Sequence, residues 1–300
     1  MNEKCPACRS EKYLEHVTHP KDLEYFIARK QNAKILRCTE CLSLYQAPWP
    51  STEETNSFYT SHYQNYTKSK VPLLSALYGF TMTLAAKQFL QTFGKNNAVL
   101  DFGCGQGAFL EMLFRQGCKD LAGYDVIHPD DTLGRIKFEF YDSLISLKNS
   151  SKRYDIIRMN HVIEHLADLD EIMNLLCGLL KPGGRIVGQT PNAQHYTSYL
   201  WREYWGALHF PYHTILFSKD GLQTAAKRWQ MSLVSVGPSA MPTGWAMSFE
   251  NFAKKHLGSK VRGRTAFYSL LLMIGIPLAY LDRILNFFGT AIFDFELRKI

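Results

Sequence analysis

The run Ala98-Val99-Leu100-Asp101-Phe102-Gly103-Cys104-Gly105-Gln106-Gly107-Ala108-Phe109-Leu110 restricts the fold of this chain more than any other segment. Its apolar start reads as a short buried strand. Its three glycines read as a tight turn that lets a ligand approach the backbone, and residues 107–116 as a helix. A strand, a glycine turn and a helix in that order open a βαβ unit, so a parallel sheet with crossover helices is expected. Strand patterns recur at 121–124, 136–140, 154–159, 185–189 and 232–236, and the strand at 154–159 is followed by a helix through Leu180. The last run, Phe293-Asp294-Phe295-Glu296-Leu297-Arg298, alternates apolar and charged residues and predicts a half-buried final strand.

Alone, the glycine turn is ambiguous. Gly103-x-Gly105-x-x-Ala108 with Asp125 downstream also fits a dinucleotide fingerprint. Asp101 separates the readings. A carboxylate there would repel a pyrophosphate, whereas it can hold a cationic amino-acid group directly or through water.

Four of the seven cysteines lie in residues 1–50, as Cys5-Pro-Ala-Cys8 and Cys38-Thr-Glu-Cys41 with 29 residues between the pairs. Two thiolates from one tight turn can meet a single ion, and two such turns complete a tetrahedral shell suited to Zn2+. Disulfides are disfavoured by the lack of an apolar signal segment. A redox C-x-x-C would open a helix after a strand, and this one opens the chain. The expected metal is structural, because four thiolates leave no open position. Cys104, Cys118 and Cys177 read as buried thiols. Reduced cysteines without a signal segment make the expected location cytoplasmic.

In order and spacing, the motifs from about residue 96 to 240 resemble those of class I S-adenosylmethionine-dependent methyltransferases. The resemblance implies that Asp101, Gly103, Gly105 and Gly107 bind the cofactor. It implies that Asp125, closing the second strand, binds the ribose hydroxyls, and that Asp142 contacts the adenine amino group. Asn160 and His161 open a segment, Asn160 to Leu166, that looks like the family's "EHL" stretch and would line the pocket. Leu180-Lys181-Pro182-Gly183-Gly184 looks like the turn before the fifth strand. One departure is the stretch 126–140, which contains Pro129 and Gly134 and has little room for the usual crossover helix, so an irregular adenine pocket is expected. The N-terminal half is similar to bacterial methyltransferases in which two cysteine knuckles precede an aromatic stretch, here Phe58-Tyr59-(x)3-Tyr63-(x)2-Tyr66. Those enzymes are often associated with sugars, polysaccharides or other secondary metabolites. Their sugar C-methylating members have an extra C-terminal domain, so that reaction is not carried over.

The fold implied is α/β: a Rossmann-like methyltransferase sheet, mostly parallel with an antiparallel last strand, preceded by a small zinc ribbon. Residues 1–50 would form the ribbon, 51–95 a helical linker and cap, and 96–300 the methyltransferase domain with a hydrophobic helical insert at about 243–289.

Between the fifth strand and the next helix, residues 204–218 form the region that in the family faces the acceptor. His209 and His213 are the candidate general bases, since histidine titrates near neutrality. His213 is preferred because H-x-x-x-F-S segments recur in the resembling enzymes, and His195 is a third candidate. Both histidines also read as loop packing or helix capping. His161-Val-Ile-Glu164-His165 matches the inverted zinc-protease pattern H-x-x-E-H, but it starts at a strand end where the methyltransferase pattern expects its own segment. No Asn-Pro-Pro-Tyr or Asp-Pro-Pro-Tyr follows the fourth strand, and no Pro-Cys nucleophile is present, which disfavours methylation of nucleic-acid bases.

The net charge of +7 is uneven: residues 251–300 hold eight basic residues against three acidic ones. Within them, 265–281 carry no charge, a length at the lower limit for spanning a bilayer. Pro277 interrupts this run and a core strand follows it, so a transmembrane helix is rejected. The remaining readings are a buried or dimer helix, and a monotopic hairpin in a membrane interface behind the basic stretch 254–264. The expected function is methyl transfer from S-adenosylmethionine to a small molecule, sugar or lipid-linked glycan, with possible peripheral membrane contact through 254–289. An RNA methyltransferase is the enzymatic alternative. It needs a basic zinc module, and residues 1–50 hold eight basic against six acidic residues, so a nucleic-acid partner is not expected. A non-catalytic cofactor-binding partner protein is the other alternative.

Overall fold

A computed structural model describes residues 3–27, 29, 32–59, 72–126, 128–129, 132, 134–239, 242–285 and 290–300, without the side chains of 72–78 and 285. Tyr63 and Tyr66 of the aromatic stretch lie outside the described residues. At the N-terminus β1 (Tyr13–Val17), β2 (Lys34–Cys38) and β3 (Leu44–Ala47) form an antiparallel meander. Helix α1 (Thr52–Phe58) starts where the Ser51 hydroxyl accepts the Glu54 N–H, with Glu53 and Glu54 in the first turn to complement the dipole. Helix α2 (Pro72–Phe93) opens on a proline, whose missing N–H costs nothing there.

The remaining chain alternates strand and helix: β4 (Val99–Phe102), α3 (Ala108–Arg115), β5 (Leu121–Tyr124), β6 (Glu139–Tyr141), α4 (Leu144–Lys148), β7 (Tyr154–Asn160), α5 (Leu169–Leu179), β8 (Leu180–Pro191), α6 (Tyr196–Trp201), β9 (Ile215–Leu216), α7 (Lys219–Arg228) and β10 (Met231–Ser239). Two further helices, α8 (Pro242–His256) and α9 (Tyr268–Leu285), precede β11 (Ile292–Lys299). Seven strands form one sheet in the order β10-β11-β8-β7-β4-β5-β6. The pairs β4–β5, β4–β7, β5–β6 and β7–β8 are parallel, and β11 is antiparallel to both neighbours, as the family resemblance implied. Phe293, Phe295 and Leu297 of β11 are buried, while Asp294 and Arg298 are exposed. All four residues of β4 are buried, as in a central strand covered on both faces.

Three expectations shift. The third sheet strand begins at Glu139 and not at Ile136. The helix after the fourth strand begins only at Leu169. Before it, His161 takes a left-handed φ of 54° and residues 163–165 form a single 3-10 turn. The carbonyls of this segment are committed elsewhere: Glu164 accepts the Thr214 N–H at 2.8 Å, which a continuing helix would preclude. Thirdly, the N-terminal sheet does not end at residue 50. β3 pairs with β9, Leu44 opposite Leu216 and Tyr45 opposite Ile215, so two residues of the acceptor-facing region complete it. Cys5, Cys38, Cys41 and Tyr45 accordingly share one core with Phe217, Leu222, Trp229 and Met231.

Candidate active site and metal centre

The residues expected to bind the cofactor converge on the carboxyl edge of β4, β5, β6 and β7, where open α/β sheets bind their ligands. After β4, Gly103, Gly105 and Gly107 have φ of 82°, 52° and 70°. A Cβ on Gly103 would sit 2.4 Å from Cγ2 of Val162, so both its φ and the neighbouring segment exclude a side chain. The Gly105 N–H donates to Oδ2 of buried Asp125 at 2.7 Å, which ties the turn to the end of β5. Asp142 follows β6, is exposed, and accepts from the Ser146 hydroxyl at 3.3 Å. Asn160 ends β7 and donates from Nδ2 to Oε1 of Gln189 at 3.1 Å, while the Gln189 carbonyl accepts the His161 N–H at 2.9 Å.

Asp101 has a partner that the sequence did not reveal. Its carboxylate is buried and already has a cation: Nη1 of Arg158, on the neighbouring β7, donates to Oδ1 at 2.7 Å. The guanidinium also stacks on the Phe109 ring, 3.9 Å from its centre. Sequence reading placed an incoming cationic group at Asp101 and overlooked Arg158, although residues of adjacent parallel strands were the place to look for a partner.

In the region expected to face the acceptor, three histidines gather. The rings of His165 and His213 meet edge to face with centroids 4.6 Å apart, and those of His209 and His213 at 5.0 Å. Nδ1 of His213 lies 2.8 Å from the Ala207 carbonyl. A carbonyl only accepts, so Nδ1 carries the proton, and in the neutral ring Nε2 holds the lone pair. Burial pushes the His213 pKa well below its ordinary value, which keeps the ring neutral. His165 is pushed down to about 4, first by burial. Its Nδ1 lies 3.1 Å from the Tyr212 carbonyl and 3.0 Å from the Tyr59 hydroxyl. Glu164 beneath the cluster accepts from the Thr190 hydroxyl at 3.0 Å and faces Nδ1 of His161 at 3.3 Å. Burial raises the Glu164 pKa, but His161 and His165 outweigh it and leave it lowered.

His209 differs from His213 in its contacts: its Nε2 faces the buried Glu24 carboxylate at 3.2 Å. His195 is fully buried, its Nδ1 2.6 Å from the Thr197 hydroxyl and its Nε2 3.8 Å from Asp282. Gln46 was not foreseen: from β3 its amide donates to both the Pro211 and His213 carbonyls at 2.7 Å. The N-terminal module thus sets the backbone of the loop that carries His213. The H-x-x-E-H pattern does not form the one-faced helical pair of a protease, because His161 stands before the 3-10 turn with a left-handed φ and His165 is the last residue of that turn.

The four N-terminal cysteines do come together. Sγ of Cys5 lies 3.6 Å from that of Cys41, and Sγ of Cys8 3.4 Å from that of Cys38, with all four within 4.8 Å of one another. A tetrahedral shell with Zn–S of about 2.3 Å has sulfur–sulfur edges of about 3.8 Å. The donor set and the spacing therefore fit one ion of that kind. The backbone around it is held by the Ser218 hydroxyl, which donates to the Cys41 carbonyl, and by Arg228, which donates to the Pro6 carbonyl at 2.8 Å.

Residues 79–253 match the family model described as a methyltransferase domain. Among curated relatives, the ubiquinone biosynthesis O-methyltransferase of Aliivibrio fischeri strain MJ11 is 30% identical over 117 residues, covering 36% of this chain and 48% of the relative. The protein of the same name from Coxiella burnetii strain Dugway 5J108-111 is 29% identical over 116 residues, with the same two coverages of 36% and 48%. The match thus spans about half the length of these relatives. A solved structure of the 1,6-didemethyltoxoflavin-N1-methyltransferase of Burkholderia thailandensis, with bound 1,6-didemethyltoxoflavin and S-adenosylhomocysteine, gives a TM-score of 0.51 at 13% identity over 92% of this chain and 98% of that one. At that identity the likeness is one of fold. The family match covers more than half of the chain and every strand that carries the cofactor-side residues described above. On that ground the chain belongs to the methyltransferase-domain family.

Proposed function

We propose that this chain transfers a methyl group from S-adenosylmethionine to a hydroxyl of a small molecule, sugar or lipid-linked glycan. The observation that carries the reading is His213, whose Nδ1 is spent on the Ala207 carbonyl and whose Nε2 is left to accept a proton. The glycine turn at 103–107, buried Asp125, Asp142, Asn160 and His161 are the residues that would hold the cofactor. The fit rests on a backbone cradle without Cβ atoms and a carboxylate at the end of β5. When bound, the cofactor supplies a methyl group on a positively charged sulfur. The chain's own tasks are then to position the acceptor, exclude water and take up the hydroxyl proton. Nε2 of His213 takes that proton, and Gln46 keeps the loop in register while it does so. The name carried by the two curated relatives, an O-methyltransferase, supports a hydroxyl acceptor. Cys5, Cys8, Cys38 and Cys41 hold a structural Zn2+ that orders the module bearing Gln46.

The test is incubation of purified chain with methyl-labelled S-adenosylmethionine and a cell extract, followed by separation of lipid, aqueous small-molecule, RNA and protein fractions. Label is expected in the lipid or small-molecule fraction. His213→Ala should lower the rate by about 10² to 10³ while leaving cofactor affinity unchanged. Label in RNA or protein would overturn the acceptor class, and an unchanged rate in His213→Ala would remove its role.

A further inference from the structure

The helix α9 is apolar on both sides, and only one side is covered. Its inner face uses small residues, with Gly275 and Ala279 buried against α8. A Cβ on Gly275 would lie 2.5 Å from the Pro242 carbonyl, so the two helices approach at backbone distance. The outer face carries Leu270, Met273, Ile274, Leu281 and Ile284, spaced three, four or seven residues apart, and all are exposed. Met273 is 69% and Ile284 78% exposed. Exposed Leu257, Val261 and Phe267 continue the apolar surface into the α8–α9 connection. A contiguous stripe of this kind marks an interaction site on a water-exposed protein.

Charge identifies the occupant. The exposed ionic groups of residues 242–284 are Lys255, Lys260, Arg262 and Arg283, all cationic. The two acids of this region are withdrawn inward. Glu250 accepts from the Thr265 N–H and hydroxyl at 2.7 Å, and Asp282 accepts from Tyr196 and from Trp245 Nε1. Two copies packed on this face about a twofold axis would oppose like charges. Among the described residues no helix is long and apolar enough to cross a membrane. An apolar helix face whose own exposed ionic groups, with those of the helix beside it, are all cationic fits a surface that is apolar below and anionic above. We propose that the outer face of α9 docks this protein in the interface plane of an anionic lipid bilayer.

The placement also concerns the acceptor, a part that rests on the reading under Proposed function. Ser248 of α8 accepts the Gly206 N–H at 2.9 Å, and the next residue, Ala207, orients His213. The docking helix, its partner helix and the acceptor loop are therefore one connected body.

The experiment is co-sedimentation of the full chain with vesicles of phosphatidylcholine alone and of phosphatidylcholine mixed with phosphatidylglycerol. Binding is expected only to the mixed vesicles, weakening as salt is raised. Leu270→Glu with Ile274→Glu should lower it by about tenfold or more. Lys255→Gln, Lys260→Gln and Arg262→Gln together, all on the surface, should also lower it by about tenfold. Circular dichroism and cofactor titration check that each variant folds. No binding to mixed vesicles, equal binding to both kinds, or a dimer that Leu270→Glu dissociates would overturn the proposal. Vesicle binding without methyl transfer would sink the enzymatic reading and leave this one standing.

Discussion

At the residue scale, the cofactor side of the site depends on groups without freedom to move. Gly103 is an example: its φ of 82° and the 2.4 Å approach of Val162 leave no room for Cβ. Gly103→Ala should cost about 1–2 kcal/mol from the left-handed backbone alone. It should also weaken cofactor binding, which thermal unfolding and calorimetric titration would measure separately. The neighbouring Asp101–Arg158 pair sharpens the point about legibility. The expectation placed on Asp101 could be formed from sequence, because its place before the first glycine is local information. Its partner was not, because which residue of β7 faces β4 depends on strand register. That register sets Asp101 directly opposite Arg158.

At the element scale, the N-terminal meander supports the loop that carries His213. β3 lends its edge to β9, Gln46 holds the loop carrying His213, and Ser43 and Ser218 share a hydrogen bond at 3.2 Å beside Cys41. Removing the proposed metal should therefore reach the proposed chemistry. Cys38→Ser, or prolonged chelation, is expected to lower the melting temperature and to reduce the methylation rate without the mutation touching the cofactor cradle. Metal analysis of the untreated chain should give about one zinc per molecule. A chelated protein with unchanged rate and stability would show that the meander holds itself together. The cysteine spacing announced from sequence that the four thiols would meet, but β9 is two residues long and no periodicity can reveal an element that short.

For the whole molecule, a buried ionic latch joins three distant segments. Glu24 of the N-terminal module faces His209 of the acceptor loop at 3.2 Å and Arg264 of the α8–α9 connection at 3.3 Å, and its carbonyl accepts the Gly263 N–H at 2.9 Å. Burial alone would raise the Glu24 pKa, but His209, Arg264 and Lys254 hold it at about 2 against an ordinary 4.5. Its contribution is present above pH 4.5 and lost as pH falls toward 2. His16 and His195 are pushed by burial to about 4 from 6.5, so the unfolded chain takes up their protons first. Their contribution is full above pH 6.5 and lost as pH falls through about 4. The urea midpoint should thus be level near neutrality, fall from about pH 6.5 and fall further below 4.5, and His16→Gln should flatten the upper step. A midpoint constant down to pH 4 would count against these burials.

By itself the sequence determined what is written in short-range patterns. These are the strand–glycine–helix opening, the alternation of β11, the paired cysteines and the carboxylates at strand ends, because each rests on periodicity or turn chemistry over a few residues. Only the tertiary structure decided that Asp101 is paired with Arg158, that His209 faces Glu24 while His213 lies against the Ala207 carbonyl, and that the large face of α9 is the exposed one. These outcomes join residues up to about 240 positions apart. They depend on which surfaces the sheet order brings together, and nothing local encodes that order.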